Sequence, residues 1–151
     1  MKDQNLNPGC LKWTYSAGSL SAETFGRPAE GFEMDCAIIA VIDGQMRWER
    51  VRGLWDTGTS TTVITPAVAE RLGLKPDGKN SMSLNGLGGK QTAWTAVASI
   101  GFPNGKAYGP IEMAVHELPS VDVLIGMDVI SIGKMIIEPK PDGGTKFMFM
   151  L

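Results

Sequence analysis

Leu54 and Trp55 run directly into Asp56, Thr57, Gly58, Thr59 and Ser60, so an apolar strand has to end in a tight turn with a carboxylate at its tip. An Asp in that place gains little structurally, because a desolvated charge is costly unless hydrogen bonds compensate it. The residues that follow supply such bonds. The Gly lets another backbone approach closely, and the small hydroxyls can hold the carboxylate in a fixed plane. The chain carries one motif of this kind. Its other Asp-Gly pairs, at Asp43, Asp77 and Asp142, lack the apolar strand in front and read as turns.

With 151 residues the chain is long enough for one domain with a core and too short for two such lobes in tandem. A net charge of −2 gives no reason to expect nucleic acid or an anionic membrane as a partner. The 19 Gly and 9 Pro, spread without a period, imply many turns and therefore an all-β architecture rather than a helical bundle. Cys10 and Cys36 are too few for a disulfide framework and form no CxxC pair, so both are expected as free thiols. Met1 to Asn7 is polar, with no apolar segment behind it, and no secretory signal is expected. The longest apolar run, Cys36 to Ile42, falls far short of the roughly 20 residues that span a bilayer. A cytoplasmic location follows as the expectation.

Residues 1–31 are rich in Gly, Ser, Asn and Pro with no sustained period, and are expected to form a loosely ordered extension to a domain spanning 32–151. Cys36 to Ile42 and Met46 to Trp55, separated by Asp43, Gly44 and Gln45, predict a β-hairpin ending at the Asp56 turn. Thr65 as N-cap, Pro66 in the first turn and Gly73 as stop predict a short helix. Met82 and Leu84, the Gly-dense stretch Asn85 to Gly89, and Thr92 to Ile100 predict a long hairpin with a mobile tip. Val121 to Ile125 reads as a short strand entering Gly126, and Met127 to Ile132 as a short helix stopped by Gly133. Met135 to Ile137 and Phe147 to Leu151 read as terminal strands.

Three of these segments, in this order, resemble the retropepsin family: the single-domain, homodimeric aspartic peptidases of retroviruses, retrotransposons and some cellular and bacterial proteins. They are Leu54 to Ser60, the Gly-dense tip around Gly86, which lies 30 residues after Asp56, and the run Val123-Leu124-Ile125-Gly126-Met127-Asp128. The resemblance implies an all-β, single-lobe acid-protease barrel with one or two short helices. It implies that Asp56 is the catalytic carboxylate. Such chemistry needs two carboxylates sharing a proton, since like charges about 3 Å apart cannot both ionise, so the second Asp56 must come from another copy. By the same resemblance Thr57 bonds its mate across the dimer axis, Thr59 bonds the outer carboxylate oxygen, and Gly58 and Gly126 support the turn. Gly86, Leu87, Gly88 and Gly89 form a flap over a polypeptide substrate, and the terminal strand interleaves with that of the partner. No cofactor is implied.

Viral members carry Asp where this chain has Ser60 and Arg where it has Met127, and pair them as ions near the dimer interface. Here both are replaced together, which leaves a neutral contact rather than a stranded charge, and Gly126-Met127-Asp128 is closer to the cellular and bacterial branch. Asp128, in the first turn of a short helix, suits the helix dipole and reads as structural. His116 is the only histidine, so neither a multi-histidine metal site nor a Ser/His/Asp triad is expected. Two other function classes fit parts of the pattern. One is a silent dimerisation or peptide-binding module on the same fold. The other is an aspartyl phosphotransferase, which usually has an acidic residue where Gly58 stands and requires regular βα alternation.

Overall fold

The computed structural model describes residues 9–151, and its first two strands lie where the sequence predicts a loose extension. β1 (Lys12–Ser16) and β2 (Ser19–Glu23) form an antiparallel hairpin with Ser16 opposite Ser19. Trp13 and Tyr15 share a face with Ala22 and Leu20, and both Ala22 and Leu20 are fully buried. Residues 1–8 of the expected extension lie outside the described residues.

β3 (Glu33–Ile42) and β4 (Gln45–Trp55) follow as the expected hairpin. Asp43 and Gly44 make its turn with φ of 52° and 74°, the paired positive φ that a two-residue turn needs to match strand twist. Along β3 the alternate residues Met34, Cys36, Ile38 and Ala40 are buried, the period-two pattern of a half-covered strand. β5 (Val63–Ile64) leads into α1 (Pro66–Leu72), capped as its sequence predicts. The Thr65 side chain accepts from the Val68 N–H, and Gly73 closes the helix in the left-handed region at φ 79°. β6 (Ser81–Gly86) and β7 (Gly89–Gly101) form the long hairpin, tipped by Leu87 and Gly88. Then come β8 (Ala107–Val115), β9 (Val123–Ile125), α2 (Met127–Ile130), β10 (Lys134–Pro139) and β11 (Thr145–Met150).

One sheet runs β3-β4-β9-β5-β8-β7-β6, and β3 also pairs with β7, so six strands close into a barrel with β6 outside it. Among the described residues parallel pairing is confined to β4 with β9 and β5 with β8, without the βα alternation of a phosphotransferase sheet. A second sheet runs β1-β2-β11-β10. β11 is therefore flanked on both sides by strands of its own chain, in place of the expected interleaving with a partner. The physical reason is the N-terminal hairpin, which occupies the free ladder of β11 from Lys146 to Met150.

The two sheets meet at an aromatic cluster. Phe147 and Phe149 of β11, both fully buried, lie 5.4 and 4.7 Å from the Trp55 ring, and Phe32 stacks on Phe147 at 4.7 Å. Such pairs contribute about 0.5–1.5 kcal/mol each beyond area burial. Trp55 immediately precedes Asp56, so the terminal sheet anchors the strand end that presents the carboxylate.

Candidate active site

Asp56 leaves the end of β4 as its last backbone tie to the barrel is made. Its N–H donates to Ile125 O of the parallel neighbour β9 at 3.0 Å. The chain then turns, and the Gly58 N–H donates back to Asp56 Oδ1 at 2.8 Å. A Cβ on Gly58 would sit 3.0 Å from that same oxygen, so the absence of a side chain there keeps the carboxylate in place. Thr57 is exposed. Thr59 does not bond the carboxylate, contrary to the expectation; its hydroxyl donates to Thr61 O at 3.1 Å, the nearer acceptor within the single chain.

Behind the turn, α2 supplies backbone donors. The Met127 N–H donates to Thr59 O at 2.8 Å and the Asp128 N–H to Ser60 O at 3.1 Å. These bonds tie the end of the turn to the start of α2 through the backbone, and the side chains of Ser60 and Met127 are both neutral. The close approach requires Gly126. A Cβ there would lie 2.7 Å from the Thr61 carbonyl carbon and 2.8 Å from its oxygen, distances that real side chains do not tolerate.

Asp128 completes the link, in agreement with its structural reading. Its Oδ2 accepts the Thr62 N–H at 2.9 Å and its Oδ1 accepts the Thr62 hydroxyl at 2.7 Å. That hydroxyl also accepts the Gly126 N–H at 3.2 Å. Thr62 is fully buried, so these bonds satisfy groups that water cannot reach.

A cavity of about 420 Å³ lies beside the turn, lined by Asp56, Gly58, Thr59, Ser60, Thr61 and Val63 on one side. Ser83, Leu84, Asn85, Gly86, Gly88, Gly89 and Gln91 of the β6–β7 hairpin line it opposite, with His116, Leu118 and Leu124 between. The hairpin glycines named from the sequence are thus brought to the same space as Asp56. Leu87 projects fully into solvent at the tip, and Trp94 is half-buried against the core. His116 and Leu118 carry no local motif, and Leu124 belongs to the run leading into Gly126; the crossing of β5, β8 and β9 brings the three to one space, which a linear reading does not reveal. Among the described residues Asp56 is the sole carboxylate lining this cavity. Among the described residues there is no group of three or more His, Cys, Asp or Glu side chains able to hold a metal, and no helix long and apolar enough to cross a membrane.

A six-stranded barrel with one carboxylate turn backed by a short helix is the architecture of a single-lobe acid protease. Comparison with known proteins agrees: the aspartyl protease family model matches residues 38–129, and the chain belongs to that family, in its retropepsin-like form. The fold is shared with the crystal structure of a retropepsin-like aspartic protease from Rickettsia conorii, 18% identical, with a TM-score of 0.51 over 93% of this chain and 98% of that one. It is shared too with the EIAV protease complexed with the inhibitor HBY-793, 21% identical, with a TM-score of 0.51 over 68% of this chain and 88% of that one. No curated protein sequence matches the chain.

Proposed function

We propose that the protein is an aspartic endopeptidase, active as a homodimer, in which the Asp56 carboxylates of two copies activate one water against a peptide carbonyl. The observation that carries this reading is the cavity in which Asp56, bonded through Oδ1 to the Gly58 N–H, faces a Gly-rich hairpin. One carboxylate is half of the machinery. With a second beside it, a shared proton makes one group the base that deprotonates water and the other the acid that protonates the carbonyl oxygen. The Gly58 N–H bond to Asp56 Oδ1 fixes the orientation of the carboxylate.

In this reading Thr57, exposed at the turn, meets its mate across the dyad, while Thr59 and Gly126 hold the turn's shape. Gly86, Gly88 and Gly89 let the hairpin tip close over an extended polypeptide, with Leu87 gripping it or the opposite tip, and the substrate backbone binds as an added strand. No cofactor takes part. The enzyme works in the cytoplasm with both thiols reduced.

The test is digestion of a peptide library by wild type and by an Asp56→Asn variant, with mass in solution measured on both. The variant is expected to be folded and dimeric but without cleavage, and wild-type cleavage is expected to be blocked by a statine-type transition-state mimic. Undiminished cleavage by a clean Asp56→Asn preparation would refute the assignment. A wild-type dimer that binds peptides but never cuts them would make the protein a silent binding module.

A further inference from the structure

A second cavity, of about 440 Å³, shares no lining residue with the one at Asp56. The outward face of the β3–β4 hairpin forms one side of it, through Ile39, Trp48 and Arg50, and the β7–β8 turn forms the other, through Phe102, Pro103 and Lys106. Phe102 is buried and stacks on Trp55, with ring centroids 6.0 Å apart and planes 10° from parallel. The aromatic cluster therefore fixes this side of the cavity before anything enters it, as in a preformed binding site.

The apolar surface does not stop at the cavity. Val41 lies opposite Met46 as Ile39 lies opposite Trp48, and these two ladder pairs share a face. Val41 and Met46 are each 70% exposed, and Trp48 is 64% exposed. The opposite face of the same hairpin, with Ile38 and Ala40, is buried, so a well-packed hairpin turns three large apolar side chains to solvent. Exposed apolar residues scattered singly are ordinary, whereas a contiguous set beside a cavity marks an interaction site. Trp, Met and Arg are also the side chains that protein interfaces favour.

Extent and charge decide the occupant. The cavity alone would hold a small molecule or one large side chain, but Val41 and Met46 carry the apolar surface one ladder step further, about 7 Å at the usual strand rise. An extended chain covers that distance. Among the residues lining the cavity, two cations, Arg50 and Lys106, stand against one carboxylate, Asp35. Arg50 pairs with Asp35 at 2.6 Å, and Lys106 has no ion-pair partner among the described residues. The uncompensated charge is thus positive, on a chain whose net charge is −2.

We propose that this face is a docking site for an acidic, apolar segment of a partner protein. A bulky side chain of the segment fills the cavity between Trp48 and Phe102, a carboxylate beside it meets Lys106, and the residues beyond lie along Met46 and Val41. The site is separate from the Asp56 cavity and does not depend on cleavage there.

The experiment selects binders from a phage-displayed library of random dodecapeptides on the full chain carrying Asp56→Asn, so that no displayed peptide is cut. The enriched peptides are then synthesised with a fluorophore, and their affinities are measured by anisotropy. They are expected to share an acidic residue beside a Trp, Phe, Leu or Met. Adding Trp48→Ala is expected to weaken them by at least about tenfold, the loss typical of a central interface aromatic. Selection on a Lys106→Glu protein is expected to return basic residues in place of the acidic one. Circular dichroism identifies the variants that fold, and Met46→Ser takes the place of Trp48→Ala if the latter does not. Failure to enrich any peptide, enrichment without an acidic residue, or equal affinity for the folded Trp48→Ala protein overturns the proposal. So does a protein that binds no peptide and whose mass in solution drops on Trp48→Ala, since the face then seats a second copy of this chain.

Discussion

Asp128 holds Thr62 at two points, its Oδ2 accepting the backbone N–H at 2.9 Å and its Oδ1 the hydroxyl at 2.7 Å. The two residues are 66 apart in sequence, and their contact locks the chain leaving the Asp56 turn to the start of α2. Replacing Asp128 by Ala removes both acceptors and leaves a fully buried N–H and hydroxyl unpaired, at about 1–3 kcal/mol for each stranded group. We expect Asp128→Ala to lower the urea midpoint by a corresponding amount and to lose most peptide cleavage. Asp128→Asn keeps one acceptor and should fall between. Equal stability of all three proteins would show that the clamp carries no weight.

Gly126 sets a second constraint on the same turn. A methyl at this position would press on the Thr61 carbonyl, and the bond from the Asp56 N–H to Ile125 O lies one residue away. Gly126→Ala is expected to cost about 1–3 kcal/mol through overpacking. It should displace the carboxylate as well, so that kcat falls by more than the lost folded fraction explains. Thermal unfolding run beside the cleavage assay separates the two effects.

Much of this arrangement is legible in the chain. The Asp56 turn, the Thr65 and Gly73 caps, the Asp43–Gly44 turn and the Gly-dense hairpin tip are local, each set by a few adjacent residues. The Thr62–Asp128 clamp and the recruitment of His116 and Leu118 to the cavity are products of topology, without a local signature. The N-terminal hairpin is a different case. Trp13 with Tyr15, and Leu20 with Ala22, do alternate with period two around the turn at Ala17 and Gly18. Two five-residue strands among many polar residues are too short for that alternation to stand out, and they hold together because β11 offers a ladder and Phe147 a ring to pack on.

That hairpin should consequently behave as part of the core. Leu20 is fully buried and sits opposite Phe149, one of the rings against Trp55. Leu20→Ala is expected to destabilise the protein by about 2–5 kcal/mol, a large share of the 5–15 kcal/mol typical of a whole domain. Removal of residues 1–24 should do more, by baring the edge of β11. Denaturant titration checks both. A truncated protein as stable as the full chain would mean that the hairpin is a detachable appendage.

The thiols give a final prediction with a definite pH direction. Cys36 is buried on the core face of β3, and loss of solvation, reinforced by the charges of Asp35 and Asp122, pushes its thiol from the ordinary 9.0 up to about 12. Cys10 is exposed. One thiol per native chain should therefore react promptly with a thiol-specific chromogen at mildly alkaline pH, and two after unfolding. The same shift ties stability to pH. Between 9.0 and about 12 the unfolded chain has given up the Cys36 proton while the folded chain retains it, so the unfolded state binds fewer protons and stability falls as pH rises. The contribution is fully present below 9.0 and is lost on approach to about 12. In a Cys36→Ala variant this part of the alkaline limb should vanish, and the difference in unfolding free energy between the two proteins, measured by urea titration from neutral pH upward, should narrow or reverse across that window. A constant difference at every pH would mean that the Cys36 proton is not coupled to folding.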